Sequence, residues 1–207
     1  MVSIEWLGHA SFEIKDDVTI ITDPHGGTVG IPFPERKADI VLVSHSHYDH
    51  ATGIEKIVKK GVSVILMSFK GEKTVKGVKI KGYRTYHDEV KGMKRGENTA
   101  YKFELDNISF LHLGDLGEIP SIEFGDVDVL FVPVGGVYTL DAEGAKKVVD
   151  KIKPKIVIPM HYKVKGLSID INGVEPFLKF YSNVERVDRL NIDKKSLPDF
   201  KVVVFNI

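Results

Sequence analysis

Seven consecutive residues, Ser44-His45-Ser46-His47-Tyr48-Asp49-His50, place three imidazoles and a carboxylate directly after the apolar run Ile40-Val41-Leu42-Val43. Apolar residues with no polar alternation read as a strand buried on both faces. The histidines then stand where that strand opens into a loop, which is where α/β chains build sites. In an extended segment His45 and His47 project to the same side and can grip one ion. As the chain turns, Asp49 and His50 supply a second pair of donors aimed differently. Two metal ions side by side are the natural reading of this spacing. The bland alternative is a surface histidine tract or tag. A tag is terminal and flanked by disorder, whereas this run lies between a hydrophobic strand and an expected helix.

The chain has no cysteine, so any metal must be held by nitrogen and oxygen. Disulfides, thiolate nucleophiles and iron–sulfur sites are excluded with it. Lys and Arg together number 29, as do Asp and Glu, which gives a formal net charge of zero. No strongly basic face for long nucleic acid is advertised. No apolar stretch approaches the roughly 20 residues needed to cross a bilayer. Met1 to Lys15 alternates like a mature strand and lacks the pattern of a signal peptide, so cytoplasmic residence is the expectation.

Along the chain, Val2–Trp6, Ser11–Lys15 and Val18–Thr22 are expected as short strands, and 23–37, rich in Gly and Pro, as a loop. Ile40–Val43 is a buried strand, Ala51–Lys60 a helix ended by Gly61, and Val62–Met67 a strand. Strands are expected again at Val78–Thr85, Thr99–Leu105, Ile108–Leu113, Asp128–Val132, Ile156–Ile158 and Lys201–Phe205. Ala142–Ile152 has apolar residues at helical spacing, with Asp141 as N-cap. Each half thus gives strands followed by strand–helix–strand. With no Gly/Ser- or Pro-rich linker between them, 1–207 is expected as one domain. Two such halves can stack sheet on sheet with helices outside, a four-layer αββα sandwich.

Further donors stand at the ends of other expected strands. His87 follows Val78–Thr85, Asp115 follows Ile108–Leu113, and His161 follows Ile156–Ile158. A lone histidine in a core is more often structural than a ligand. Joint placement after the first cluster raises the standing of these three. His112 rivals His87, but it lies inside an expected strand only three residues before Asp115. A supporting hydrogen bond suits His112 better. His9, His25 and Asp23 are softer candidates, able to support the site or merely to satisfy turns. Gly135 and Gly136 can offer backbone N–H groups to an anion or simply let the chain turn.

The segments Trp6–Phe12, Thr22-Asp23-Pro24, His45–His50, Tyr86-His87-Asp88, His112–Asp115, Pro133–Gly136 and Pro159–Tyr162 together resemble the metallo-β-lactamase superfamily. The likeness is to the branch of the ascorbate-lactone hydrolase proteins and their "Zn-dependent hydrolase" relatives. It covers almost the whole length. The resemblance implies that His45, His47 and His87 hold a first metal. Asp49, His50 and His161 hold a second, and Asp115 bridges both.

An imidazole and carboxylate set suits two divalent ions, zinc first, with manganese or iron as alternatives. His47 where a carboxylate would stand argues against an oxygen-reducing di-iron site. The missing cysteine and the bridging Asp115 point away from β-lactam hydrolysis. The expected activity is attack by a metal-activated hydroxide on a small ester, lactone or phosphodiester, with Asp49 as ligand and acceptor of the water's proton. Two alternatives are kept: a nuclease of the same fold, and a non-catalytic metal-binding scaffold. Arg84, Arg95 and Lys163, from loops that would set specificity, either meet an anionic substrate or face water. Oligomeric state is left open.

Overall fold

In the computed structural model, residues 1–206 are described, and they form two β-sheets packed face to face. The first sheet takes β1 (Val2–Gly8), β2 (Ser11–Lys15), β3 (Thr19–Thr22), β4 (Ile40–Val43) and β5 (Val64–Met67) in that order, with β13 (Leu190–Ile192) added outside β1. The second sheet contains β6 (Gly71–Val75), β7 (Val78–Tyr86), β8 (Glu97–Leu105), β9 (Ile108–His112), β10 (Val129–Pro133), β11 (Ile156–Met160), β12 (Val184–Val187) and β14 (Lys201–Phe205). Its spatial order is β12-β14-β11-β10-β9-β8-β7-β6.

The ladders repeat. In the first half β1–β2 and β2–β3 are antiparallel, then β3–β4 and β4–β5 are parallel. In the second half β7–β8 and β8–β9 are antiparallel, then β9–β10 and β10–β11 are parallel. The parallel strands are those that read as unbroken apolar runs, because both their faces are covered. Period two divides each run between two cores. In β4, Ile40 and Leu42 face the core between the sheets, while Val41 and Val43 face outward. In β10, Val129 and Phe131 face that shared core, while Leu130 and Val132 pack outward.

The outer layers are unequal. On the second sheet, α3 (Ala142–Ile152) buries Ala145, Val148 and Val149, joined by Phe177 and Leu178 of α4 (Glu175–Leu178). Asp141 caps α3 as expected, accepting a hydrogen bond of 2.8 Å from Gly144 N. On the first sheet the covering layer is thin. The helix expected at Ala51–Lys60 is instead two single turns, α1 (Tyr48–Ala51) and α2 (Ile54–Ile57). The break falls at Gly53, whose N–H donates to Pro24 O at 2.8 Å. A Cβ there would lie 2.7 Å from Gly26 N, so close packing against the 23–37 loop outweighs helix propensity. The architecture is otherwise the expected sandwich of mixed sheets with helices outside.

Strand boundaries shift by a residue or two, and β11 runs through Pro159. β14 pairs with β11 only as far as Val157, which leaves Pro159 a side with no ladder bond to lose. β6, β12 and β13 were not anticipated. They are edge strands, three to five residues long; β6 and β12 carry exposed charged side chains and β13 is only Leu-Asn-Ile, too short for hydrophobic alternation to mark it. No helix among the described residues is long and apolar enough to cross a membrane.

Tyr101 ties the sheets together beneath the histidine run. Its buried hydroxyl accepts from Phe69 N at 2.9 Å and lies 3.1 Å from Val43 O and 2.9 Å from Leu66 O. Burial pushes its phenol pKa up. Tyr101→Phe removes one partner from buried backbone groups and is expected to cost about 1–3 kcal/mol in urea unfolding. An unchanged midpoint would show the tie to be idle.

Candidate metal centre

The ends of β1, β3, β4, β7, β9 and β11 bring their following residues to one end of the sandwich. These are His9, Asp23, the His45–His50 run, His87, Asp115 and His161. Asp115 stands in the middle, 1% exposed. Its Oδ2 lies 3.1 Å from His50 Nε2, 3.1 Å from His87 Nε2, 3.2 Å from His161 Nε2 and 3.8 Å from His45 Nε2. Its Oδ1 is buried with no hydrogen-bond partner. The backbone N–H of Asp115 is held at 3.0 Å by Asn98 Oδ1, while Asn98 Nδ2 donates to Thr85 Oγ1 and Leu113 O.

Donor atoms fall into clusters within 4.8 Å: His45, His47 and His87; His45, His50 and Asp115; and His9, Asp49, His50 and His161. All seven residues singled out for metal binding therefore meet at one place. His47 is the exposed member, at the rim.

Hydrogen bonds behind the rings decide which nitrogen faces inward. Ser44 Oγ gives its one proton to Asp23 Oδ2 at 2.7 Å, so it accepts from His45 Nδ1 at 2.9 Å and leaves His45 Nε2 bare. His87 Nδ1 donates to Tyr138 O at 3.0 Å, which frees its Nε2. His50 Nδ1 approaches Asp23 Oδ2 at 2.9 Å, an ion-pair contact rather than an aligned hydrogen bond. Asp23 thus steadies His50 directly and His45 through Ser44, whose backbone N–H also donates to Asp23 at 2.7 Å.

The same logic applies to the rivals. His112 Nε2 donates to Ala10 O at 2.9 Å and its Nδ1 accepts from Gly114 N at 3.2 Å, leaving no lone pair to offer. His25 is likewise spent on Leu7 O and Gly27 N. Gly136 N–H is bound to Leu140 O, and at Gly135 a Cβ would collide with the His161 carbonyl oxygen, so the pair serves close packing of backbone. His9 earns more than the sequence assigned it. It takes a left-handed backbone, φ 57°, in the turn between β1 and β2, just past a bulge between Trp6 and Gly8, and its Nε2 donates to Asp49 Oδ2 at 3.0 Å. Its ring lies 4.1 Å from that of His161.

Charge follows the geometry. Burial lowers His9 and His45 to about 3, so both are neutral. Burial also opposes charge on His50, but Asp115, Asp23 and Asp49 overcome it and raise its pKa well above the ordinary value. His87 is raised in the same way by Asp115. Burial disfavours the Asp49 and Asp115 carboxylates, yet the surrounding imidazoles hold both below the usual range. A buried set of imidazole nitrogens turned on two carboxylates, with an orphaned carboxylate oxygen, is what a divalent cation compensates, displacing protons from the raised imidazoles as it binds.

The family model described as "Beta-lactamase superfamily domain" matches residues 3–161. The chain belongs to that superfamily. A relative from Thermococcus onnurineus, named a UPF0173 metal-dependent hydrolase, is 31% identical over 191 residues, spanning 78% of this chain and 85% of that one. A Thermotoga maritima structure described as a Zn-dependent hydrolase of the metallo-β-lactamase superfamily superposes with a TM-score of 0.82 at 38% identity. It covers 99% of this chain and 98% of that one. A crystal structure from Parabacteroides distasonis shares the fold, with a TM-score of 0.71 at 21% identity over 98% of this chain and 92% of that one.

Two outcomes are expected. Asp23→Asn, which weakens the support of His45 and His50, should lower metal affinity about 10–100-fold in competition with a chelator. The metal-free protein should lose stability as pH falls from 6.5 towards about 3, because the unfolded chain protonates His9 and His45 there while the folded chain does not. Urea midpoints measured across that window would report it, and a flat profile would contradict the buried neutral rings.

Proposed function

We propose that the chain is a binuclear metal-dependent hydrolase of small esters, lactones or phosphodiesters. The observation that carries this is the approach of four histidine Nε2 atoms, from the exits of β4, β7 and β11, to one oxygen of Asp115. His45, His47 and His87 would hold one divalent ion, Asp49, His50 and His161 the other, and Asp115 both. The nitrogen and oxygen donors suit zinc, with manganese or iron as alternatives. Two such ions supply hydroxide at neutral pH and charge to stabilise an oxyanion.

The chain's own residues do the rest. Asp49 lines the cleft and is ionised, so it orients the attacking water and accepts its proton. A carboxylate held that low is a weak base, and its contribution is mainly positional. His9, neutral and buried behind it, fixes the carboxylate through the 3.0 Å hydrogen bond. Substrate enters a cleft of about 660 Å³, bordered by Tyr48, Tyr138, Arg95 and the Ser168–Ile169–Asp170 segment. That volume suits a small molecule. A single arginine at the cleft and zero net charge do not favour a polynucleotide.

Elemental analysis of protein purified without added metal, with hydrolysis of bis(p-nitrophenyl) phosphate and a simple lactone, tests the proposal. About two transition-metal ions per chain are expected, with activity falling to background in Asp115→Ala. No bound metal, and none taken up on reconstitution, would sink it.

A further inference from the structure

Of the three cations that the sequence singled out, the structure leaves one at the cleft. Arg84 pairs with Glu97 at 3.2 Å. Lys163 Nζ turns inward to donate to Leu167 O and Ile169 O, each at 2.8 Å, and so braces the cleft wall. Arg95 lines the same cleft as His47, His87, Asp115 and His161.

Arg95 is held there from both ends. Its backbone N–H donates to Asp88 Oδ2 at 2.7 Å. The buried Asp88 carboxylate also accepts from the backbone N–H groups of Val90, Gly92 and Lys94, which folds the whole 88–95 loop around it. At the other end, Arg95 Nη2 donates to Val137 O at 3.1 Å, and the guanidinium lies 5.5 Å from the centre of the Tyr138 ring. A guanidinium has five N–H donors, and one of them is used here. Among the described residues no carboxylate lies within 4 Å of it. Asp170, the exposed carboxylate of the wall, does not pair with it.

The turn that seats Arg95 is strained. Val137 has φ 63°, and Tyr138 N donates to Gly136 O at 2.7 Å across it, a tight three-residue turn. A β-branched residue in that conformation is disfavoured by contact between its side chain and backbone. The strain has a local consequence. Consecutive carbonyls of this turn hold Arg95 and the site histidine: Val137 O takes Arg95, and Tyr138 O takes His87 Nδ1. The turn thereby fixes a cation in register with the hydrolytic centre. Strain of this kind collects where geometry is needed for function.

We propose that Arg95 is a specificity-determining residue that binds an oxyanion, carboxylate or phosphate, carried by the substrate away from the bond that is cut. The inference rests on the hydrolase reading for the bond, but not for the anion. A planar guanidinium fixed on one side and free on the other suits bidentate capture of either group.

The test is the calorimetric affinity of three unreactive probes, butyrate, glutarate and 4-phosphonobutyrate, for the protein as purified, with its metal content measured on the same sample. Relative to butyrate, the second anionic group of glutarate or 4-phosphonobutyrate should tighten binding about tenfold. The larger gain identifies carboxylate or phosphate as the group bound. Arg95→Gln should abolish the gain and leave butyrate affinity and metal content within about twofold, and Arg95→Lys should restore part of it. The proposal is overturned if the native protein shows no gain over butyrate or if Arg95→Gln keeps it. It is also overturned if Arg95→Gln lowers butyrate affinity and metal content together, which would make Arg95 only a brace for the turn. A sample without metal would refute the hydrolase reading, while the difference between probes would still report on Arg95.

Discussion

A fully buried carboxylate cannot stand uncompensated in a protein interior. Asp115 is such a group, and the end of the sandwich is organised around it. Histidines from the β4 exit, the β7 exit and the β11 exit turn Nε2 towards it, and a carboxamide, Asn98, pins its backbone. The polar chain continues outward through His50 and Ser44 to Asp23, which lies wholly inside the first sheet's end. Each link in that chain fixes a ring nitrogen that would otherwise rotate or change tautomer. The site is a network whose members are mutually dependent, not a set of side chains that happen to be near one another.

The sheets make that network affordable. The shared core behind it, with Phe12, Phe103, Phe110, Phe131 and Phe205, is apolar and continuous, so the strands that carry the site residues are held firmly. The repeated ladder order places equivalent strand ends from both halves at the same edge. Site residues far apart in sequence, such as His45 and His161, meet because of that order. The thin helical layer over the first sheet leaves the α1 turn, with Tyr48, Asp49 and His50, against the 23–37 loop.

Much of this was legible in the residues. The unbroken apolar runs Ile40–Val43 and Val129–Val132 marked central strands because period-two burial on both faces leaves no polar positions. The histidine spacing marked the site because extended chain sends alternate side chains to one side. Three kinds of feature were not legible. The short edge strands β6 and β12 place charged side chains in water, and β13 is only three residues long, so pattern is silent about them. The break at Gly53 depends on a backbone contact with Gly26 that no local window contains. The supporting roles of Ser44 and Asn98, the firm grip of His9 on Asp49, and the strained Val137 turn depend on partners 15 to 51 residues away or on a backbone conformation. Both nitrogens of His112 are spent on backbone, a reason to set it below His87 that is visible only in three dimensions.

The central claim is that Asp115 is shared by two cations. Anomalous diffraction from metal-loaded crystals, collected at the absorption edge of the bound metal, tests it most directly. The account predicts two peaks flanking the Asp115 carboxylate, one among His45, His47 and His87 and one among Asp49, His50 and His161. A single peak, or peaks that leave Asp115 outside the coordination shell, would contradict it.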